Sequence, residues 1–191
     1  MDLIGPLPES NQYKYILTVQ DYFTKWTEAY PLQDKTARGV AEALVNGWIQ
    51  TFGSPRVFLS DNGKEFRGRV VTEVADMLGI ERRYTPAYHA ASNGLIERQN
   101  ATLQTMLKNL VQETGREWSE VLGFATATYR STIHESTRQT PNMMVLGREI
   151  LLPIDWKYDQ RSGKGQMETR CPTVYVQWLQ DTLMKTRDLA K

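Results

Sequence analysis

Val57-Phe58-Leu59-Ser60-Asp61-Asn62-Gly63 is a short, mostly apolar strand that runs straight into an Asp-Asn-Gly turn. Its setting makes it one strand of a layered α/β sheet. Upstream, Thr36–Phe52 carries Val40, Ala41, Leu44, Val45, Trp48 and Ile49, spaced by three and four like the buried stripe of a helix. Gly53-Ser54-Pro55 ends that helix. Downstream, the pattern predicts a helix from Gly68 to Leu78, a strand from Ile80 to Thr85, and long helices over Gly94–Thr114 and Trp118–Ser131. Three more strands open the chain, at Met1–Ile4, Tyr13–Val19 and Trp26–Tyr30, the last ended by Pro31. The turn at Pro8-Glu9-Ser10-Asn11 joins the first two antiparallel. This order predicts an α/β layer structure with a mixed sheet.

Composition narrows the classes further. The 191 residues are 40% hydrophobic and 24% charged, the profile of a globular chain that buries its core without covalent staples. A single cysteine, Cys171, excludes an internal disulfide. With only His89 and His134 beside it, a four-ligand Cys/His zinc module is excluded as well. No apolar run is long enough to span a membrane. Lys and Arg number 23 against 22 Asp and Glu, so a nucleic-acid partner has to be argued from a site and not from bulk charge. After Pro153 the texture turns polar, with Ser162-Gly163-Lys164-Gly165 as a linker and Val174–Leu189 as a final helix.

Three carboxylates occupy suggestive places. Asp2 lies in the first strand, and Asp61 lies at the C-terminal tip of another, where ligands of α/β sheets bind. Glu97 lies near the start of the helix that follows Ser92-Asn93-Gly94. Leu103, Met106, Leu107, Leu110 and Val111 form that helix's apolar stripe, so Glu97, Gln104 and Lys108 share a polar face. Singly, each acid has an ordinary explanation as a turn or surface residue. Asp21 also ends a strand and competes with Asp2 as the first acid of a site, whereas Glu65 reads as a turn or surface acid.

Thirty-five residues separate Asp61 from Glu97, and with Asp2 this set resembles the acidic signature of retroviral and gypsy-type retrotransposon integrase catalytic cores. Five strings carry the resemblance in order. They are Asp2-Leu3-Ile4-Gly5-Pro6-Leu7-Pro8, Asp21–Ala29, Leu59–Phe66, the Tyr88-His89 pair with Ser92–Asn100, and Thr140–Glu149. Within this frame the first acid is Asp2. The resemblance covers residues 1–153, leaving 154–191 as a polar linker and C-terminal helix.

The resemblance implies an RNase H-like fold, a five-stranded mixed sheet flanked by helices. It also implies DNA 3′-end processing and strand transfer with two divalent ions, Mg²⁺ or Mn²⁺, held by Asp2, Asp61 and Glu97. Lys108, Gln104 and Arg98 are then candidates for DNA contact. The implied partners are retroelement ends, target DNA and further copies of the chain, with an intracellular site of action, nuclear or cytoplasmic. Two features depart from the pattern: Ala90-Ala91 stands where gypsy-type relatives commonly have Pro-Gln, and Asp2 sits at the very start of a shortened strand. The zinc-binding and strand-rich flanking domains of full integrases are not expected within these residues. The rival reading is an integrase-derived protein that binds DNA or a protein partner without catalysis. A ribonuclease H fits the fold class but not the strings.

Overall fold

The structure is a computed structural model; it describes residues 1–85 and 90–150 and scattered positions from 179 to 189, without the side chains of 90–97. The chain falls into two compact units, Met1–Gln20 with Thr27–Tyr129, and Asp21–Trp26 with Arg130–Lys191.

The first unit contains the five expected strands. β1 (Asp2–Ile4) pairs antiparallel with β2 (Tyr15–Gln20), and β2 with β3 (Thr27–Leu32). β4 (Val57–Ser60) and β5 (Glu81–Tyr84) pair in parallel. The expectation of one five-stranded mixed sheet is therefore met only in strand number, because the strands form a sheet of three and a sheet of two. β1 is three residues long, and the Met1 amine just before it donates to the Leu59 carbonyl of β4 at 2.8 Å. Pro31 does not end the third strand but lies inside it, opposite Ile16. β3 is an edge of its sheet, where a residue without an N–H is tolerated.

The helical stripe over 36–52 folds as expected, with one local change. α1 (Ala37–Ala43) continues as a π-helical turn, Leu44–Ile49, and a last turn, α2 (Gln50–Phe52). A Cβ on Gly47 would lie 2.3 Å from the Tyr30 ring, so glycine alone allows this turn to press on β3. The wider turn rephases the stripe: Leu44 and Trp48 are buried while Val45 and Ile49 are only half-buried. Thr36 caps α1, its hydroxyl accepting from the Gly39 amide at 3.2 Å while donating to Asp34 at 2.6 Å. Those Thr36 bonds hold the Asp34 carboxyl below its ordinary value. Thr36→Ala is expected to cost about 1 kcal/mol of stability, measured by urea unfolding.

α3 (Lys64–Arg67) and α4 (Arg69–Met77) form the crossover between the parallel strands and bury Phe66, Val71 and Ala75. α5 (Ala90–Thr114) and α6 (Trp118–Arg130) close the unit. Leu103 and Leu107 join Ile4, Ile16, Trp118, Val121, Leu122 and Ala125 in one core cluster. Trp48 and Trp118 are buried, as their periodic placement indicates.

In the second unit, Asp21 accepts from both the amide and the hydroxyl of Thr24 at 2.7 Å, closing a turn over which Trp26 stacks beneath the Arg130 guanidinium. α7 (Pro141–Leu146) is capped by Thr140 and ended by Gly147 with φ 67°. Positions 179, 181, 183–186 and 188–189 are helical; the linker and the rest of the final helix expected over 174–189 lie outside the described residues.

Candidate metal centre at the strand tips

Asp2 opens β1 and Asp61 follows β4, and the Met1 amine, donating to the Leu59 carbonyl at 2.8 Å, links the two strands. Asp2 is half-buried, and both of its oxygens accept hydrogen bonds. The Leu3 amide donates to Oδ1 at 2.8 Å, and the Asn100 side-chain amide donates to Oδ2 at 2.6 Å. Asp61 follows β4 and is exposed, its Oδ1 accepting from the Gly63 amide at 2.9 Å. A Cβ on Gly63 would stand 3.0 Å from that oxygen and 2.8 Å from Glu65 Cδ. Both are the ends of flexible side chains, which a Cβ there would displace. β5 braces the tip of β4, since the Thr85 amide and hydroxyl both donate to the Ser60 carbonyl, at 2.9 and 3.3 Å.

Burial raises the Asp2 carboxyl above its ordinary value, and the charge of Asp61 raises it further, against the Leu3 and Asn100 hydrogen bonds and the Met1 ammonium. Burial likewise depresses the Met1 amine to about 6, opposed by the charges of Asp2 and Asp61. Carboxylate oxygens are the hard donors that Mg²⁺ and Mn²⁺ favour.

The other predicted residues fall as follows. Glu97 lies on α5, but its side chain is outside the described residues. Among the described residues no three His, Cys, Asp or Glu side chains converge. Arg98, Gln104 and Lys108 are exposed on α5. Asp21 accepts from Thr24 within its own turn. His89 lies outside the described residues; His134 contacts Ser136 through Nδ1.

Sequence reading missed Gln99 and Asn100, both buried polar residues of α5. The signal was present. Counting back from Leu103 and Leu107 by three and seven lands on Asn100, so a polar residue occupies the apolar stripe.

The chain is similar to known proteins in sequence and in fold. Residues 1–90 match the Integrase core domain family. The chain is 38% identical over 133 residues to the Pol polyprotein of feline endogenous virus ECE1, and 29% identical over 154 residues to the retrovirus-related Pol polyprotein from transposon 412 of Drosophila melanogaster. These alignments take in 69% and 80% of this chain but only 13% and 12% of the relatives, so the chain spans about an eighth of their length. Among solved structures, it is similar to the HTLV-2 integrase catalytic core domain in complex with magnesium, at TM-score 0.61 and 17% identity, covering 73% of this chain and 90% of that one. It is also similar to the BIV integrase catalytic core, at TM-score 0.60 and 18% identity, covering 85% of this chain and 96% of that one. These likenesses establish the RNase H-like α/β fold.

Proposed function

The chain belongs to the integrase core domain family, and on that premise we propose that it catalyses metal-dependent polynucleotidyl transfer on DNA. The hydrogen bond from the Met1 amine to the Leu59 carbonyl, which sets the start of β1, with Asp2, beside the end of β4, before Asp61, carries this reading. Asp2 and Asp61 hold the cations, with Glu97 of α5 as the third acid. A bound pair of divalent ions supplies Lewis-acid activation of the attacking and leaving oxygens in an in-line displacement at phosphorus. The chain's own residues do the rest. Asp2 and Asp61 fix negative charge at the tips of β1 and β4. Lys108, Gln104 and Arg98, exposed along α5, follow the DNA backbone. Water as attacking group trims a 3′ end; the new 3′ hydroxyl then joins that end to target DNA.

The partners in this reading are retroelement ends, target DNA and further copies of the chain. The HTLV-2 core's trimeric form supports the last. No described helix is long and apolar enough to cross a membrane. The reaction takes place where DNA is, in the nucleus or the cytoplasm.

The test is resolution of a branched DNA that mimics the joined product, with Mg²⁺ or Mn²⁺. Metal-dependent resolution by the chain, lost in Glu97→Gln, is the expected result. A folded wild-type chain that binds the branched DNA without resolving it overturns the enzyme reading in favour of an integrase-derived binding protein.

A further inference from the structure

We propose that Asn62 is a site of spontaneous covalent modification, its side chain cyclising onto the Gly63 amide nitrogen and opening to an acid, and that this change ages the cation site beside it. The modification is independent of the proposed function; its effect on cation binding rests on that reading and deepens it. Three Asn-Gly steps occur in the chain, Asn46-Gly47, Asn62-Gly63 and Asn93-Gly94. Such steps are open to this chemistry because glycine has no Cβ to keep its amide nitrogen away from the asparagine side-chain carbon. The fold sorts the three. Asn46-Gly47 lies in the π-helical turn Leu44–Ile49, and Asn93-Gly94 lies within α5. A helical backbone engages each amide with a preceding carbonyl and so withholds it from the side chain. Asn62-Gly63 lies instead in the bend after β4, where Asn62 is exposed and Gly63 is extended, at φ −55° and ψ 144°.

The step needs only solvent water. The Gly63 nitrogen attacks Asn62 Cγ, the Cγ–Nδ2 bond breaks, and the Gly63 proton leaves with Nδ2 as ammonia. The succinimide ring that remains is opened by water. Opening at the side-chain carbonyl gives aspartate, and opening at the main-chain carbonyl gives isoaspartate. Two contacts govern the rate and the consequence. The Gly63 amide donates to Asp61 Oδ1 at 2.9 Å, so the attacking nitrogen has to leave that carboxylate before the ring closes. Asp61 thus guards its neighbour. Asn62 Nδ2 donates to the Thr85 carbonyl at 3.3 Å, latching the bend after β4 to the end of β5. Conversion replaces this donor by a carboxylate, which only accepts, and the latch becomes a repulsion. The isoaspartyl product also adds a methylene to the main chain between Asp61 and Gly63. Both changes displace the turn that holds Asp61, and partners that orient a metal ligand commonly change metal affinity by about 10–100-fold when lost.

The test ages the 191-residue chain in metal-free neutral buffer at body temperature. Peptide mass spectrometry with isoaspartyl methyltransferase labelling then maps the amides, and calorimetry measures Mn²⁺ binding by fresh and aged samples, with melting temperature recorded for each. The expected result is acid at position 62, much of it isoaspartyl, with the amides of Asn46 and Asn93 retained. Aged chain is expected to bind Mn²⁺ about 10-fold more weakly than fresh chain. Asn62→Gln, whose longer side chain closes the ring poorly, is expected to keep its own fresh affinity on ageing. Asp61→Ala frees the Gly63 amide and is expected to speed conversion about 3- to 10-fold, the worth of one hydrogen bond, whereas Asp61→Asn keeps an acceptor and speeds it less. An intact Asn62 amide after ageing, or conversion at Asn46 or Asn93 in its place, overturns the modification. Conversion at Asn62 with unchanged Mn²⁺ affinity overturns its hold on the cation site. Fresh chain that binds no Mn²⁺ overturns the metal-site reading and not the modification. Should Asp61→Ala fail to fold, the wild-type map and the Asn62→Gln comparison decide.

Discussion

Asp61→Asn is expected to abolish metal-dependent DNA resolution while leaving the fold intact. Lewis-acid stabilisation of a phosphoryl-transfer transition state is worth several kcal/mol, and each 1.36 kcal/mol is tenfold in rate, so the loss is on the order of 10³-fold or more. The substitution is nearly isosteric. Asp61 is exposed and its Oδ1 accepts from the Gly63 amide, a bond that an asparagine Oδ1 still makes. Burial is the main cause of the raised Asp2 carboxyl, and removing the Asp61 charge takes away a lesser one. Stability is therefore expected to change by less than about 1 kcal/mol. Single-turnover rates at saturating Mn²⁺, set beside melting curves, check both halves. Unchanged turnover would remove Asp61 from the site.

Trp118→Ala is expected to give the largest loss of stability. Trp118 is 8% exposed and packs in the core cluster with Ile4, Ile16, Leu103 and Ala125. Its indole N–H donates to the Pro8 carbonyl at 2.7 Å, tying the start of α6 to the turn between β1 and β2. Truncating a buried aromatic to alanine costs about 3–5 kcal/mol. For a domain of this size that corresponds to a fall of roughly 6–20 °C in the melting midpoint. Trp118→Phe keeps most of the apolar area and loses the hydrogen bond, for about 1 kcal/mol plus a smaller packing loss. Urea unfolding of the three proteins separates the packing contribution from the polar one.

What the sequence made legible followed from periodicity. The stripe Leu103, Leu107 placed α5 correctly on the core, and its opposite face left Gln104 and Lys108 in solvent, as found. The strand tip before Asp61 also agrees with the structure, and a local turn engages the Asp21 carboxylate. Other features depend on contacts that no linear pattern encodes. In the π-helical turn Gly47 meets the Tyr30 ring across the fold. Pro31 survives inside β3 because that strand is an edge, which only the sheet order reveals. The short helix α7 was read as a sequence signature and not as an element, although Thr140-Pro141 and Gly147 supply its cap, first turn and stop. Gln99 and Asn100 were passed over because buried amides look like surface residues until partners on three strands are seen.

The central claim is that the tips of β1 and β4 hold divalent cations for phosphoryl transfer. Crystals of the chain soaked in Mn²⁺ and measured at the manganese absorption edge test it most directly. The expected result is an anomalous peak within coordination distance of carboxylate oxygens of both Asp2 and Asp61, absent in Asp61→Asn crystals. Saturating Mn²⁺ that leaves these two carboxylates bare while binding elsewhere would contradict it.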